Sequence, residues 1–290
     1  MPERRNRTPS LKTEQSHTAT MGALLHDGSI QPLVPTETFD SMVRDAQIEL
    51  SDGEREKLGL FLAGLLKVNE VVNLTAIRDA ETAWIKHIYD AVSLLPVFAS
   101  LPETESMKIV DVGSGCGVPG IPLAICIPNA QMTLLESTGR KCAFLSAICS
   151  MLDLSNVSVA QQRAEDMGTS VARSKQDGSR RETFDVAVCR AVGRVAVALE
   201  LMVPLVRVGG HLVLVKGQAA DEELAEANHA MRTLTVDHLG TIDTPTGRIV
   251  VLEKRGRTPR QYPRKAGEPA RNPLVPASYK QRGAQEDASA

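Results

Sequence analysis

The chain has 290 residues, of which 42% are apolar, 23% charged and only 3% aromatic. This composition excludes wholesale disorder, a collagen-like fibre and a disulfide-stapled mini-protein, and so few rings argue against a surface that stacks single-stranded bases. The net charge of -2 hides an asymmetry: from Lys254 to Arg282 nine Lys/Arg face Glu268 alone, a balance of +8, so the rest of the chain carries -10.

In chain order, residues 1–36 mix Pro, Ser, Thr, Arg and Gln without a period and read as a disordered leader. At Ser51 a capping box appears, with Glu54 three residues on. Leu58, Phe61, Leu62, Leu65 and Leu66 follow at helical spacing, predicting an amphipathic helix that ends near Asn73. A second helical stretch is expected from Ala80 to Phe98, with Trp84, Ile88, Ala91, Val92 and Leu95 on one stripe. Residues 37–100 thus form an N-terminal helical cap.

From Met107 short apolar runs alternate with turns and helix-period segments, the pattern of βα units on a parallel sheet. The predicted strands are Lys108–Val112, Gln131–Leu135, Val157–Gln161, Phe184–Cys189 and His211–Val215, with helices at Gly120–Ile127, Arg140–Leu152 and Val195–Leu205. After a polar helix over Ala220–Arg232, the runs Leu234–Ile242 and Arg248–Leu252 are joined by Pro245, Thr246 and Gly247. A parallel crossover needs a dozen residues or more, so these two strands must be antiparallel. Residues 168–183 read as a surface insertion, rich in Ser, Arg and Gly. The expected core domain spans 101–256, followed at 257–290 by a basic tail whose Pro259, Pro263, Pro269 and Pro273 resist helix and strand. Such an extended arm suits a phosphate backbone, and nucleic acid is the commonest anionic partner of a basic tail.

Five cysteines without a C-x-x-C pair suggest neither a disulfide framework nor a metal site. The first residues lack the apolar stretch of a secretory signal, and no run reaches the roughly 18 to 20 apolar residues of a membrane span. A cytoplasmic protein with no membrane contact is expected.

The most informative segment is Asp111-Val112-Gly113-Ser114-Gly115-Cys116-Gly117-Val118-Pro119-Gly120, at the end of the first predicted strand and opening a helix. Glycines allow positive φ and close approach of backbone to a ligand. The G-x-G-x-x-G spacing of Gly115, Gly117 and Gly120 would equally suit a dinucleotide. Two acids separate the candidates. Asp111, just before the loop, would repel a pyrophosphate but suits a cationic ligand, and Glu136, ending the second strand, can hold two ribose hydroxyls. S-adenosylmethionine, a cationic nucleoside without phosphates, fits this pair of acids better than NAD. No Gly-Lys-Ser/Thr follows the loop, so the phosphate-binding Walker pattern is absent.

The loop DVGSGCGVPGIPLAI, the segments VVNLT, KHIYDAVSL and LLESTGRKCAFL, the pair Ala164-Glu165, the turn Cys189-Arg190-Ala191, Lys216-Gly217 and the tail TPRQYPRKAGEPARNPL together resemble the RsmG family, also called glucose-inhibited division protein B. The resemblance covers residues 37 to about 275. It implies a class I S-adenosylmethionine-dependent methyltransferase fold: a Rossmann-like α/β sheet with helices on both faces and a terminal antiparallel strand pair, plus the helical cap. It further implies methylation of N7 of guanine 527, in the standard rRNA numbering, in 16S rRNA of the small ribosomal subunit or its assembly intermediate. A monomer is expected.

Carried over by position, cofactor contacts fall on Asp111, Gly113, Gly115 and Val118 in and before the loop, and on Glu136, Ser137 and Thr138 after the second strand. Ala164 and Glu165 would flank the adenine, and Arg190 would face the methionine end or the target base. Val118 stands where the family tends to have Phe or Leu, and Glu136 where it tends to have Asp.

N7 of guanine has an exposed lone pair and no proton to lose, so displacement on a sulfonium methyl needs alignment more than a base; proximity can supply roughly 7 to 11 kcal/mol of such a barrier. The chain lacks the N-P-P-aromatic stretch of amino-group methylases and the Pro-Cys nucleophile of cytosine C5 methylases, so Cys189 reads as a small buried strand residue. His87 and Asp90, at i and i+3 beside Lys86, share a helix face and are expected to close the pocket. Arg190 and His87 are therefore the catalytic candidates. The alternatives are a methyltransferase for protein or a small molecule, and a nucleotide-binding regulator without transfer activity.

Overall fold

In the computed structural model of the chain, residues 21–276 are described except 27, 103–105 and 170–179, together with residue 279. The first twenty residues of the predicted leader, the middle of the predicted insertion and the end of the predicted tail lie outside the described residues. The helices that precede the sheet are residues 21–25 (α1), Glu37–Asp45 (α2), Asp52–Asn69 (α3), Ala80–Ala83 (α4), Asp90–Val92 (α5) and Leu95–Ser100 (α6). A π-helical turn, Trp84–Tyr89, joins α4 to α5.

The capping box at Ser51 forms as the spacing requires: the Glu54 amide donates to Ser51 Oγ at 3.3 Å, and the Ser51 amide donates to Glu54 Oε2 at 2.7 Å. The sheet elements then alternate as β1 Lys108–Val112, α7 Gly120–Cys126, β2 Gln131–Glu136, α8 Gly139–Met151, β3 Val157–Gln161, α9 Ala164–Thr169, β4 Phe184–Arg190, α10 Val195–Met202 and β5 Val206–Lys216. Helices α11 Ala220–Glu226 and α12 Asn228–Leu234 lead to β6 Val236–Thr244 and β7 Gly247–Lys254, and a short α13 Glu268–Arg271 follows.

The strand order is β3-β2-β1-β4-β5-β7-β6, with β1 to β5 parallel and β7 antiparallel to both β5 and β6. The order reverses between β1 and β4, so the crevice beyond their carboxyl ends is the ligand position of an open α/β sheet. This is the sheet expected from the sequence, including the terminal antiparallel pair. Pro245 and Thr246 alone separate Thr244 from its partner Gly247.

One face of the sheet packs α7 and α8 together with the cap. Phe39, Leu62 and Trp84 share a continuous buried cluster with Ile121, Leu134, Phe144 and Ile148. The other face packs α9 to α12, with Met167, Leu199, Leu205, Leu224 and Leu234 in a second cluster. The cap thus shares one buried cluster with the sheet face that it covers.

Several expectations are corrected. The leader does not extend to residue 36: Met21 and Leu25 are buried, and the Leu33 amide donates to the Gly59 carbonyl. Its apolar residues are too few to show a period, and they pack into notches on α3. A Cβ at Gly59 would come within 2.4 Å of the Leu33 carbonyl oxygen, so the contact depends on the missing side chain. The stretch from Ala80 to Phe98 is not one helix, and the single polar helix expected over Ala220–Arg232 is two, broken at Ala227. Strand β5 starts five residues before the predicted His211, because Gly209 and Gly210 lie within a strand whose pairing to β4 shifts register there.

The largest correction concerns the tail. From Thr258 to Leu274 the chain is packed on the second face rather than extended in solvent: Thr258, Tyr262, Pro269 and Leu274 are buried. Arg264 clasps the fully buried Glu200 of α10, its Nε donating to Oε1 at 2.8 Å and its backbone amide to the same oxygen at 2.9 Å. Arg181, in the predicted insertion, donates to the carbonyls of Tyr262 at 2.8 Å and Thr258 at 3.0 Å. Fully buried Lys254 donates to Glu182 Oε1 at 2.7 Å and to the carbonyls of Val203 and Val206. Two of the nine cations counted in the basic arm, Lys254 and Arg264, are therefore consumed in holding the segment to the domain.

Candidate active site

A cavity of about 310 Å³ opens at the carboxyl edge of the sheet, at the low end of the range for ligand pockets, roughly 300 to 1,000 Å³. Its walls come from the ends of β1 and β2 (Val112, Gly113, Leu135, Glu136, Ser137), the β3–α9 turn (Gln162 to Glu165) and the β4–α10 turn and α10. Gly267 and Ala270, from the segment beyond β7, complete it. A larger cavity of about 650 Å³ lies at the opposite edge, around Lys108, Gln131, Asn156 and Arg180. None of the predicted site residues lines it, and size does not outweigh the location of the crevice.

The glycine loop is shaped by positive φ, with Gly113 at 72° and Gly115 at 58°. A Cβ on Gly113 would approach Val192 Cγ2 to 3.0 Å and fill the floor of the cavity. The Gly113 and Ser114 amides both donate to the Leu135 carbonyl, fastening the loop to β2. Asp111 is wholly buried beneath the loop and receives the Gly120 amide at 3.0 Å on Oδ2, while its Oδ1 has no hydrogen-bond partner among the described residues. Burial pushes its pKa up to about 7, against the lowering effect of these hydrogen bonds and of Arg190.

Glu136 is buried and aimed by two backbone donors, Thr138 N–H to Oε1 at 2.8 Å and Gly115 N–H to Oε2 at 3.1 Å. Each oxygen keeps a second lone pair for another donor. Ala164 and Glu165 sit on the adjacent wall, with Glu165 Oε1 accepting the Gly267 amide at 2.8 Å. The cavity thus gathers Gly113, Glu136, Ser137, Ala164 and Glu165. Asp111, Gly115 and Thr138 support it from behind, and Val118 lies in the apolar core with the cap.

Arg190, at the end of β4, does not line this cavity but turns toward the cap. Its Nη1 donates to the Lys86 carbonyl and lies 3.4 Å from Asp90 Oδ2, and its Nη2 is 3.0 Å from His87 Nδ1. The π-turn explains the first of these bonds. Asp90 N–H reaches five residues back to Ile85, and on return to four-residue spacing the ladder passes over the Lys86 carbonyl, leaving it for Arg190. His87 is 2% exposed, and burial first, then the Arg190 charge, pushes its pKa down to about 3. A neutral ring that accepts from a guanidinium at Nδ1 must carry its proton on Nε2, which lies 3.2 Å from Thr75 Oγ1. Burial also raises Asp90 above the usual carboxylate range.

Sequence reasoning did not find Asn69 and Thr75, which complete this network: the Asn69 side chain receives the Leu74 and Thr75 amides at 2.8 and 3.0 Å and shapes the turn that presents Thr75. It also missed Glu200 with Arg264 and the wall formed by Gly267. A lone Glu within the apolar run Val195–Met202 was the available signal, since a charge on a buried stripe requires a partner. Cys189 is buried in β4 with its pKa pushed up to about 12 by burial, so it offers no thiolate. Among the described residues no helix is long and apolar enough to cross a membrane.

The chain matches a family described as rRNA small subunit methyltransferase G over residues 54–247. It is similar to the ribosomal RNA small subunit methyltransferase G of Sorangium cellulosum, 41% identical over 232 residues that cover 80% of this chain and 93% of the relative. The protein of the same name from Brevibacillus brevis is 38% identical over 245 residues, covering 82% and 99%, and that from Leuconostoc citreum is 36% identical over 244 residues with the same coverage.

Proposed function

Since this chain belongs to the rRNA small subunit methyltransferase G family, we propose that it methylates N7 of guanine 527 of 16S rRNA from S-adenosylmethionine. The observation that carries this reading is the carboxyl-edge cavity, where Gly113 leaves room for a nucleoside and Glu136 and Glu165 face it from two neighbouring strand ends.

The residues fit the cofactor. Gly113 leaves open floor, Glu136 has lone pairs for ribose hydroxyls, Ala164 and Glu165 can flank an adenine, and Ser137 borders the same wall. Asp111, with an unpartnered oxygen close to the loop, favours a cation over a phosphate. When bound, S-adenosylmethionine supplies an electrophilic methyl on a sulfonium. The protein's task is then orientation. The tie from Gly113 and Ser114 to β2 keeps the loop from shifting, and Glu136, fixed by two amides, is set before a ligand arrives. Arg190, whose charge acts on Asp111 and Cys116 of the loop segment, is held in one orientation by the cap, with His87 as a neutral acceptor. No general base is required at an N7 lone pair, and the Nδ1 lone pair of His87 is already taken up in accepting from Arg190.

The 16S rRNA of the small subunit is the partner, and the protein works where that RNA is assembled, in the cytoplasm. A two-part test separates this from a nucleotide-binding regulator and from a methyltransferase of other substrates. S-adenosylhomocysteine should raise the melting temperature and NAD should not. Label from methyl-labelled S-adenosylmethionine should enter rRNA of small subunits from cells lacking the gene. Label in protein alone would refute the RNA substrate.

A further inference from the structure

The segment beyond β7 does two things within a few residues. Strand β7 runs antiparallel to β5 and ends at Lys254 on the amino edge of the sheet, whereas Gly267 and Ala270 line the carboxyl-edge cavity. Between them the chain crosses the whole second face, held in succession by Glu182, Glu200 and Glu165. Besides Arg260, which is exposed and lies before the turn at Gly267, the cations of this strap divide into two groups. Arg264 is spent on Glu200, whereas Lys265 is exposed and Arg271 keeps 70% of its side chain exposed although it lies 3.3 Å from Glu268. Arg271 Nη1 is 3.7 Å from where a Gly267 Cβ would stand, so its guanidinium lies beside the cavity wall. Exposed Arg163 comes to the same mouth from the β3–α9 turn.

Resting on the function proposed above, we propose that residues 258–276 form a two-sided strap: the inner edge, Gly267 and Ala270, closes the adenine side of the cofactor site, while Lys265 and Arg271, with Arg163 across the mouth, hold phosphates of the RNA substrate. Wall and cations share one short turn, so a ligand that sets the position of one side also sets the other. Cofactor and RNA therefore bind with positive coupling, and the coupling is reciprocal.

The test is calorimetric titration of S-adenosylhomocysteine into the full-length protein, free and saturated with a 16S rRNA fragment that contains the decoding region, alongside the salt dependence of rRNA binding. Wild type should bind S-adenosylhomocysteine about fivefold more tightly with RNA present. The double variant K265A/R271A should keep its affinity for S-adenosylhomocysteine alone and lose the coupling. Its rRNA affinity should drop about tenfold, and its salt slope should fall by about 1.5 units, as two phosphate contacts require. Arg257→Ala, an exposed cation before the strap, should change none of these. Equal S-adenosylhomocysteine affinity with and without RNA in wild type, or an unchanged salt slope in K265A/R271A, overturns the strap alone. So does a loss of S-adenosylhomocysteine binding in K265A/R271A without RNA, which would make these cations part of the wall. A wild-type protein that binds neither ligand overturns both this proposal and the function on which it rests.

Discussion

The two flanks of the site are held by different chemistry. On the cap side, Arg190 meets a passed-over carbonyl and a neutral imidazole, with one carboxylate, Asp90, at 3.4 Å. On the strap side the anchors are carboxylates that clasp cations and amides, and one of them, Glu200, is fully buried. The two neutral acceptors fix the direction of the guanidinium, and only Asp90, at the long end of ion-pair distance, offsets its charge, which suits a group that acts on a ligand. Paired ions cancel charge and hold backbone in place, which suits a wall.

That contrast can be broken by substitution. Arg264→Ala leaves Glu200 as an unpaired buried charge and should lower the unfolding free energy by about 3 kcal/mol in urea titrations; no change would mean that the strap is not anchored by this pair. Arg190→Ala should reduce methyl transfer about 100-fold, the usual scale for one lost electrostatic contact to a reacting centre, with the melting temperature altered far less than by Arg264→Ala. His87→Ala should cost about tenfold in turnover through a mis-set Arg190. His87→Asn, whose side-chain oxygen can accept at the place of Nδ1, should recover most of it, and recovery by neither Asn nor Gln would sever His87 from Arg190.

His87 also gives a pH signature. Its pKa is about 3 in the folded protein against about 6.5 in an unfolded chain, so acid protonates the unfolded state first. The stability it contributes is complete above pH 6.5 and is lost as pH falls from there toward 3, and His87→Asn should flatten that part of the curve. The smallest effect is expected at Cys189, where Ala should leave turnover unchanged and cost about 1 kcal/mol of stability for the lost packing.

The sheet was legible because each strand is a short apolar run closed by a turn residue, and the glycine loop and Glu136 stood out because chemistry restricts those positions. The KHIYD segment was readable as a shared helix face, but its π-turn was not, since no residue in Trp84–Tyr89 breaks a helix. The strap was misread for a related reason. Its prolines exclude regular structure, and lack of regular structure was taken for extension into solvent, whereas its partners Glu165, Glu182 and Glu200 lie roughly 64 to 102 residues earlier in the chain and only tertiary packing joins them.

The most direct measurement of the central claim is the position and atom of the transferred methyl. Small subunits from cells lacking the gene, treated with the protein and labelled S-adenosylmethionine, should yield one N7-specific strand cleavage, at guanine 527 of 16S rRNA. Label at a base nitrogen other than N7, or spread over several guanines, would contradict an alignment-only mechanism built on a rigid carboxyl-edge site.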